Sequence, residues 1–386
     1  MKKICGIIIF LVIAAGCKEK YLTLIQSPPT GYLIVEGFIS SSQSPSTIKL
    51  SRSTKLYDTV NIIYEQNAVV NIVGENNEVF PLTESGNGVY TSASLHLNTN
   101  ERYRLQIKTQ GNKEYQSDFV KVRHTPDIDS ITWQREGDGL KIFINTHDPL
   151  DSTRYYKWDY EETWEIHSPY LSTLKYVYDP SNPTYITGLD YRDPVAHAPD
   201  TTMYKCWNSS TSASINIGSS EKLSKDVIYL PLFTIEPGSE RLSVLYSVLV
   251  KQYALSKEAY SFFQKMKKNT EQLGSIFDPQ PSELQGNIHC VSDPKEPVVG
   301  YVEISEEKEQ RHFIANAEVP LWNFKTDCML KKFVNNPDSI NVFASNLTPV
   351  MPEKIFIMSI LTFSAAAPTC VDCRLRGTNV RPPFWP

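Results

Sequence analysis

The most reactive spacing in the chain lies near its end, where Cys370-Val371-Asp372-Cys373 sets two thiols three residues apart. That spacing suits a redox pair, a short disulfide or half of a zinc site. No second Cys-x-x-Cys and no His-x-x-x-His accompanies it, which leaves zinc without support. Pro368-Thr369 before the motif and an Arg/Gly-containing tail after it do not resemble the helix start that activates a redox thiol. The pattern predicts a local Cys370–Cys373 disulfide with no turnover. Cys206, Cys290 and Cys328 make these five cysteines beyond Cys17, so at least one is unpaired. The seven histidines are scattered, and no Gly-x-Ser-x-Gly, phosphate loop or His-Glu-x-x-His occurs. Glu161-Glu162 and Glu306-Glu307 are doublets, and neighbours on a strand face opposite ways, so neither doublet is an acid/base pair. No catalytic residue, metal ligand or cofactor site is nominated, and the expectation is a non-enzymatic protein.

Cys17 carries a different chemistry. Lys2-Lys3 precede an apolar run at residues 4–15, too short to span a bilayer but right for a signal-peptide core. The run ends in Ala14-Ala15-Gly16-Cys17, which resembles the bacterial lipobox, with Ala14 where Leu is preferred. An ordinary signal peptide with an incidental cysteine is the alternative. On the first reading residues 1–16 are a lipoprotein signal, Cys17 is acylated, and residues 17–30 are a lipidated tether closed by Ser27-Pro28-Pro29. Lys18-Glu19-Lys20-Tyr21 resembles the export signals of surface lipoproteins in Bacteroidota, or is simply a solvated start.

A quieter recurrence is Asp followed by Ser or Thr. It occurs at Asp58-Thr59, Asp129-Ser130, Asp151-Ser152, Asp200-Thr201 and Asp338-Ser339, and resembles the O-glycosylation sequon of exported Bacteroidota proteins. The hydroxyls concerned are those of Thr59, Ser130, Ser152, Thr201 and Ser339. Asp-Ser/Thr pairs are also common turn formers, and both readings stand.

The elements that would position these residues are mostly strands. With 386 residues the chain exceeds one core, and 43 acidic against 38 basic side chains, without a basic stripe, exclude a phosphate-tracking nucleic-acid surface. Residues 31–124 read as about seven short alternating strands with frequent turns, clearest at Arg102–Lys108, which predicts an immunoglobulin-like sandwich. Thr125-Pro126-Asp127 marks the expected boundary to a second β-rich domain, 125–386. There Tyr156, Trp158 and Tyr160 alternate with Tyr155, Lys157 and Asp159, which predicts core aromatics of a second sandwich rather than a sugar-stacking platform. Residues 168–204 carry five prolines and six tyrosines without a period, which predicts a long partner-facing loop. One prominent helix is predicted over 256–273, capped by Ser256 and Gly274, with Ala259, Phe262, Phe263 and Met266 on its packed face. Residues 355–363 read as a buried strand in a C-terminal β segment that ends in the cysteine-containing tail.

Several stretches together resemble the Bacteroidota lipoprotein family called domain of unknown function 4249. They include Gly88-Val89-Tyr90, residues 103–107, residues 125–130, Cys206-Trp207, the run from Tyr246 through the helix to Pro281, Gly286-Asn287-Ile288, Val299-Gly300-Tyr301, and Cys370-x-x-Cys373 with Pro383-Phe384-Trp385. Val302 stands where members often carry Phe, and Gly377-Thr378 where they often carry Gly-Gly. The resemblance implies a β-rich lipoprotein, anchored in the outer membrane and facing the cell exterior. It implies a non-catalytic accessory partner of a SusC-like TonB-dependent receptor, or related barrel, in ligand capture or uptake. A scaffold role in an outer-membrane assembly or secretion complex is the alternative, and a surface glycan or peptide hydrolase a more distant one.

Overall fold

A computed structural model describes residues 31–42, 44–54, 62–271 and 284–386. The chain is mainly β, as the alternating runs require, and among the described residues it carries one long helix. The clean period of Arg102–Lys108 puts Tyr103, Leu105 and Ile107 inside with near-zero exposure, and the polar residues between them outside.

The first sheet takes its strands mainly from residues 33–121. It runs from Glu114–Ser117 through Arg102–Lys108, Val69–Gly74, Val79–Gly86, Val89–Ser94 and Pro45–Arg52 to Leu33–Ser40. Its inward side chains, from Leu33 and Val35 to Tyr115, meet in one core. Strands from far along the chain complete it: Ile288–Cys290 pairs with Glu114–Ser117, while Val299–Gly300 and Ile304–Ser305 lie parallel to Leu33–Ser40.

The second unit is a sandwich. Ile128–Glu136, Gly139–His147 and Val227–Ile235 form one sheet, and Lys205–Thr211, Tyr155–His167, Leu245–Ala254 and Glu307–Ala315 form the other, joined by Asn216–Ser219. Tyr156, Trp158 and Tyr160 point into the core between them, as their alternation predicts. Gln252, fully buried, accepts from Trp158 Nε1 at 2.7 Å and donates to Pro126 O at 2.8 Å, which pins the segment joining the two units. Thr125 Oγ1 adds a bond to Glu306 O at 2.6 Å.

Three expectations are overturned. Residues 168–204 are not one long loop: Leu174–Asp179 and Asn182–Tyr191 form a hairpin whose Leu174 and Ile186 are buried against Ile340, Ile360 and Phe363. The hairpin was hidden because prolines and tyrosines mask a period-two pattern only a few residues long. Residues 355–363 are not one buried strand: they close a hairpin, Thr348–Phe356 with Ser359–Ala366, in which Ile360 and Phe363 are buried but the turn at 355–358 is exposed. Apolar content alone did not distinguish core from protrusion.

The third concerns the cysteines. Cys370 and Cys373 do not pair with each other: Cys206 bonds Cys373 across 167 residues, and Cys328 bonds Cys370 across 42. The physical reason is a change of direction between two short 3-10 turns, Pro368–Cys370 and Cys373–Leu375, the second capped by Asp372. Cys373 thereby enters the core of the second sandwich and Cys370 a separate cluster with Met203 and Val350. Among the described residues Cys290 is the unpaired cysteine, and it is buried.

The helix spans Lys257–Glu271; Leu273 and Gly274 of the predicted helix end lie outside the described residues. Ser256 Oγ accepts from Ala259 N at 3.0 Å, the expected N-cap, and donates to Glu303 at 2.5 Å. A second helix, Pro337–Phe343, went unpredicted although Asn336 and Pro337 are a cap and first-turn pair.

Candidate ligand-binding cleft

The outer face of strand Tyr155–His167 lies opposite its aromatic core face and carries Lys157, Asp159 and Glu161. Register then sets their neighbours. Lys157 stands beside Tyr253 and Tyr253 beside Glu307, while Asp159 stands beside Lys251 and Lys251 beside Glu309. The result is a sheet surface of alternating charge with an aromatic ring set into it.

Two further walls make that surface concave. Strand Leu33–Ser40 contributes Phe38, with Gly37 and Gly300 close by, and the helix contributes Phe262, Phe263 and Met266. The enclosed volume is about 540 Å³, open to solvent between the two units. The two glycines suit this crowded floor, because a Cβ on Gly37 would stand 2.3 Å from Thr47 O and one on Gly300 2.5 Å from Val35 O. Clefts between domains, with aromatic walls and a few convergent polar groups, are the usual form of a small-ligand site.

The charges inside are tightly matched. Lys157 Nζ lies 2.5 Å from both carboxylate oxygens of Asp159, 5.5 Å from the Tyr253 ring centroid and 5.9 Å from that of Phe263. Lys251 Nζ meets Glu161 at 3.0 Å, and the Tyr253 hydroxyl donates to Glu307 at 2.7 Å. Burial works against the charge of Lys251, but Glu161, Glu307 and Glu309 together hold its pKa above the usual lysine value. Burial, then the field of Glu307 and Asp159, pushes the Tyr253 phenol far up, so it stays a donor. Phe38 packs on Tyr253 with centroids 4.3 Å apart, and Tyr301 on Phe262 at 5.4 Å. Thr211, Ser212 and Ser214 supply hydroxyls along one rim.

Carboxyls with raised pKa values lie elsewhere. Burial raises Glu162, against the Tyr246 and Arg241 contacts that oppose it, and burial raises Glu303 against Arg123 and Ser256. Both are interior groups bonded to the scaffold. What the cleft offers is paired donors and acceptors beside rings, chemistry that suits hydroxyl or amide groups. Among the described residues no three His, Cys, Asp or Glu side chains converge as metal ligands.

Among the described residues, none of those singled out from sequence for modification or bridging lines this cleft. Cys17 and Thr59 lie outside the described residues. Ser130 is half-buried in strand Ile128–Glu136, whereas Ser152 in a connecting loop, Thr201 in a 3-10 turn and Ser339 in helix Pro337–Phe343 are exposed. Ser152 Oγ donates to Asp148 at 2.7 Å, a turn contact. Cys370 and Cys373 hold the tail, whose Trp385 is buried and donates to Glu165 at 3.1 Å. The sequence signal for the cleft was the Lys157-x-Asp159-x-Glu161 stripe, visible as the polar half of the aromatic alternation.

A family model described as Domain of unknown function (DUF4249) matches residues 18–311. No curated protein matches the chain. Among solved structures, a candidate carbohydrate-binding protein from Bacteroides uniformis aligns at 8% identity over 58% of this chain and 90% of its own, with a TM-score of 0.15. A biofilm-associated protein, BSP domain, aligns at 9% identity over 91% and 77%, with a TM-score of 0.14. Similarity this slight bears on neither fold nor function.

Proposed function

The chain belongs to the DUF4249 family, and we propose from that premise that it is a lipid-anchored outer-membrane protein, facing the cell exterior, that captures a ligand for a SusC-like TonB-dependent receptor. Its role is binding without turnover. The observation that carries ligand capture is the cleft, where Lys157, Asp159, Lys251, Glu161, Tyr253 and Glu307 are pre-arranged by sheet register between two aromatic walls. Such preorganisation lowers the ordering cost of binding.

The lipobox-like Ala14-Ala15-Gly16-Cys17 supports the anchor, with two or three acyl chains sufficient for stable attachment. Support for a docking face comes from the hairpin Leu174–Tyr191 and the segment after it. Tyr178 is 50% exposed, Tyr185 37% and Val195 91%, while the buried residues of the same hairpin hold it rigid. Exposed aromatics on a rigid base are typical anchors of protein interfaces.

The test is recovery of bound small molecules. Protein purified from its native membrane, then denatured, should release a ligand that mass spectrometry detects, and the Lys157→Met, Glu307→Gln double variant should release at least about tenfold less. Equal release from the variant, or none from either, would refute capture at this cleft.

A further inference from the structure

We infer that the turn of the C-terminal hairpin, Ile355-Phe356-Ile357-Met358, is a membrane peg that enters the interfacial layer of a lipid bilayer. Every residue from Glu353 to Ser359 is exposed, and the four apolar ones are 52%, 62%, 81% and 94% exposed in order. The third strand of this sheet ends at Val334, opposite Thr362, so the hairpin runs on beyond it as two strands.

The turn residues are chosen neither for the turn nor for water. Ile357 and Met358 have φ of 42° and 65°, the left-handed region that a two-residue hairpin turn demands. The same demand is met at residues 87 and 88 of this chain by Asn-Gly, with φ of 52° and 66°. A β-branched residue in that region is strained, and an exposed Ile-Met pair gains nothing from solvent. Asn-Gly would serve the fold better, which leaves a contact outside the fold as the reason for Ile-Met.

Shape and charge favour lipid as that contact. The peg is convex and two to three residues tall, roughly 7–10 Å, which matches the depth to which interfacial segments sink. Lys354 at its base is exposed and forms no ion pair among the described residues, whereas its neighbour Glu353 is paired with Lys332 at 2.8 Å. A lysine at that level reaches anionic headgroups as the tip enters. The chain between Cys17 and Gly31 spans at most roughly 50 Å, so an acylated Cys17 keeps the body within reach of the bilayer. Only this proximity rests on the proposed anchor.

The test places a nitroxide label at Met358→Cys, with a second chain labelled at the exposed turn residue, Asn76→Cys, as reference. Cys290 is 3% exposed, and the unsubstituted chain measures its background. The lipidated chain is held in vesicles of phosphatidylethanolamine with phosphatidylglycerol, and collisions with oxygen and with a water-soluble nickel complex are measured. The peg predicts oxygen collisions and loss of nickel collisions at 358, and the reverse at 76. A label at 358 as open to nickel as the one at 76 overturns it, and so does a label shielded from both by a co-purifying protein. Chain lacking the acyl group, added to the same vesicles, reads the tip by the same label, so a failed anchor and a failed peg are separate outcomes.

Discussion

Lys157 and Tyr253 face one another across adjacent strands, the ammonium 5.5 Å from the ring centroid, with Asp159 closing on the same ammonium at 2.5 Å. A cation held over a ring and against a carboxylate is already positioned for a ligand. Lys157→Met should therefore weaken ligand retention while changing stability by no more than about 1–2 kcal/mol, since its partner Asp159 is half-exposed and keeps solvent when the lysine is gone. Tyr253→Ala should instead cost about 3–5 kcal/mol, because the ring is 5% exposed and packs on Phe38. Urea melts of both variants, set against ligand release, separate recognition from packing.

Much of this arrangement was legible in sequence. The stripe of Tyr156, Trp158 and Tyr160 gave a core face, hence a polar face at Lys157, Asp159 and Glu161, and Ser256 gave the helix start. What was not legible is what long-range pairing decides. The cleft draws walls from residues near 38, 157, 212, 253, 262 and 301, and the disulfide partners of Cys370 and Cys373 lie 42 and 167 residues away. The segment 355–363 was misread for another reason: apolar content is the same along it, yet Ile360 and Phe363 pack in a core while residues 355–358 stand exposed at the hairpin's turn.

The two disulfides close long loops and should contribute strongly. In the chain-entropy account, removing Cys206–Cys373 costs up to about 5 kcal/mol and Cys328–Cys370 about 4, and losses are not additive because the loops are nested. Peptide mapping without reductant should recover these two pairs, and denaturant titration of the Cys206→Ser, Cys373→Ser variant should show the larger loss. A 370–373 peptide would contradict the pairing.

Acid stability should depend on Asp148. Burial opposes its charge, but Ser152, Leu150 and Thr153 donate to its carboxylate and hold its pKa well below the ordinary value. A carboxyl depressed in the folded state gives stability that is present above its unfolded pKa of about 3.9 and fades as pH falls toward the folded value. Asp148→Asn should flatten that acid limb and cost about 1–3 kcal/mol at neutral pH, because an amide group would face donors. Equilibrium unfolding measured from pH 7 down to 3 checks both.

Docking is tested cleanly by changing exposed side chains of the 174–191 hairpin and not by removing it. Deleting residues 168–204 would remove Leu174 and Ile186 from the core they share with Ile340, Ile360 and Phe363 and so unfold that part of the chain. Tyr178→Ser with Tyr185→Ser should leave the melting temperature within about 2 °C yet weaken capture of the receptor at least tenfold. Unchanged capture would move the docking face elsewhere.

The most direct measurement is co-purification at native expression level from detergent-solubilised outer membranes, with the intact mass of the recovered protein read alongside. The account predicts a TonB-dependent receptor or related barrel in stable complex, and a chain that begins at an acylated Cys17. Recovery of the protein alone, without acyl mass and without a barrel, would contradict it.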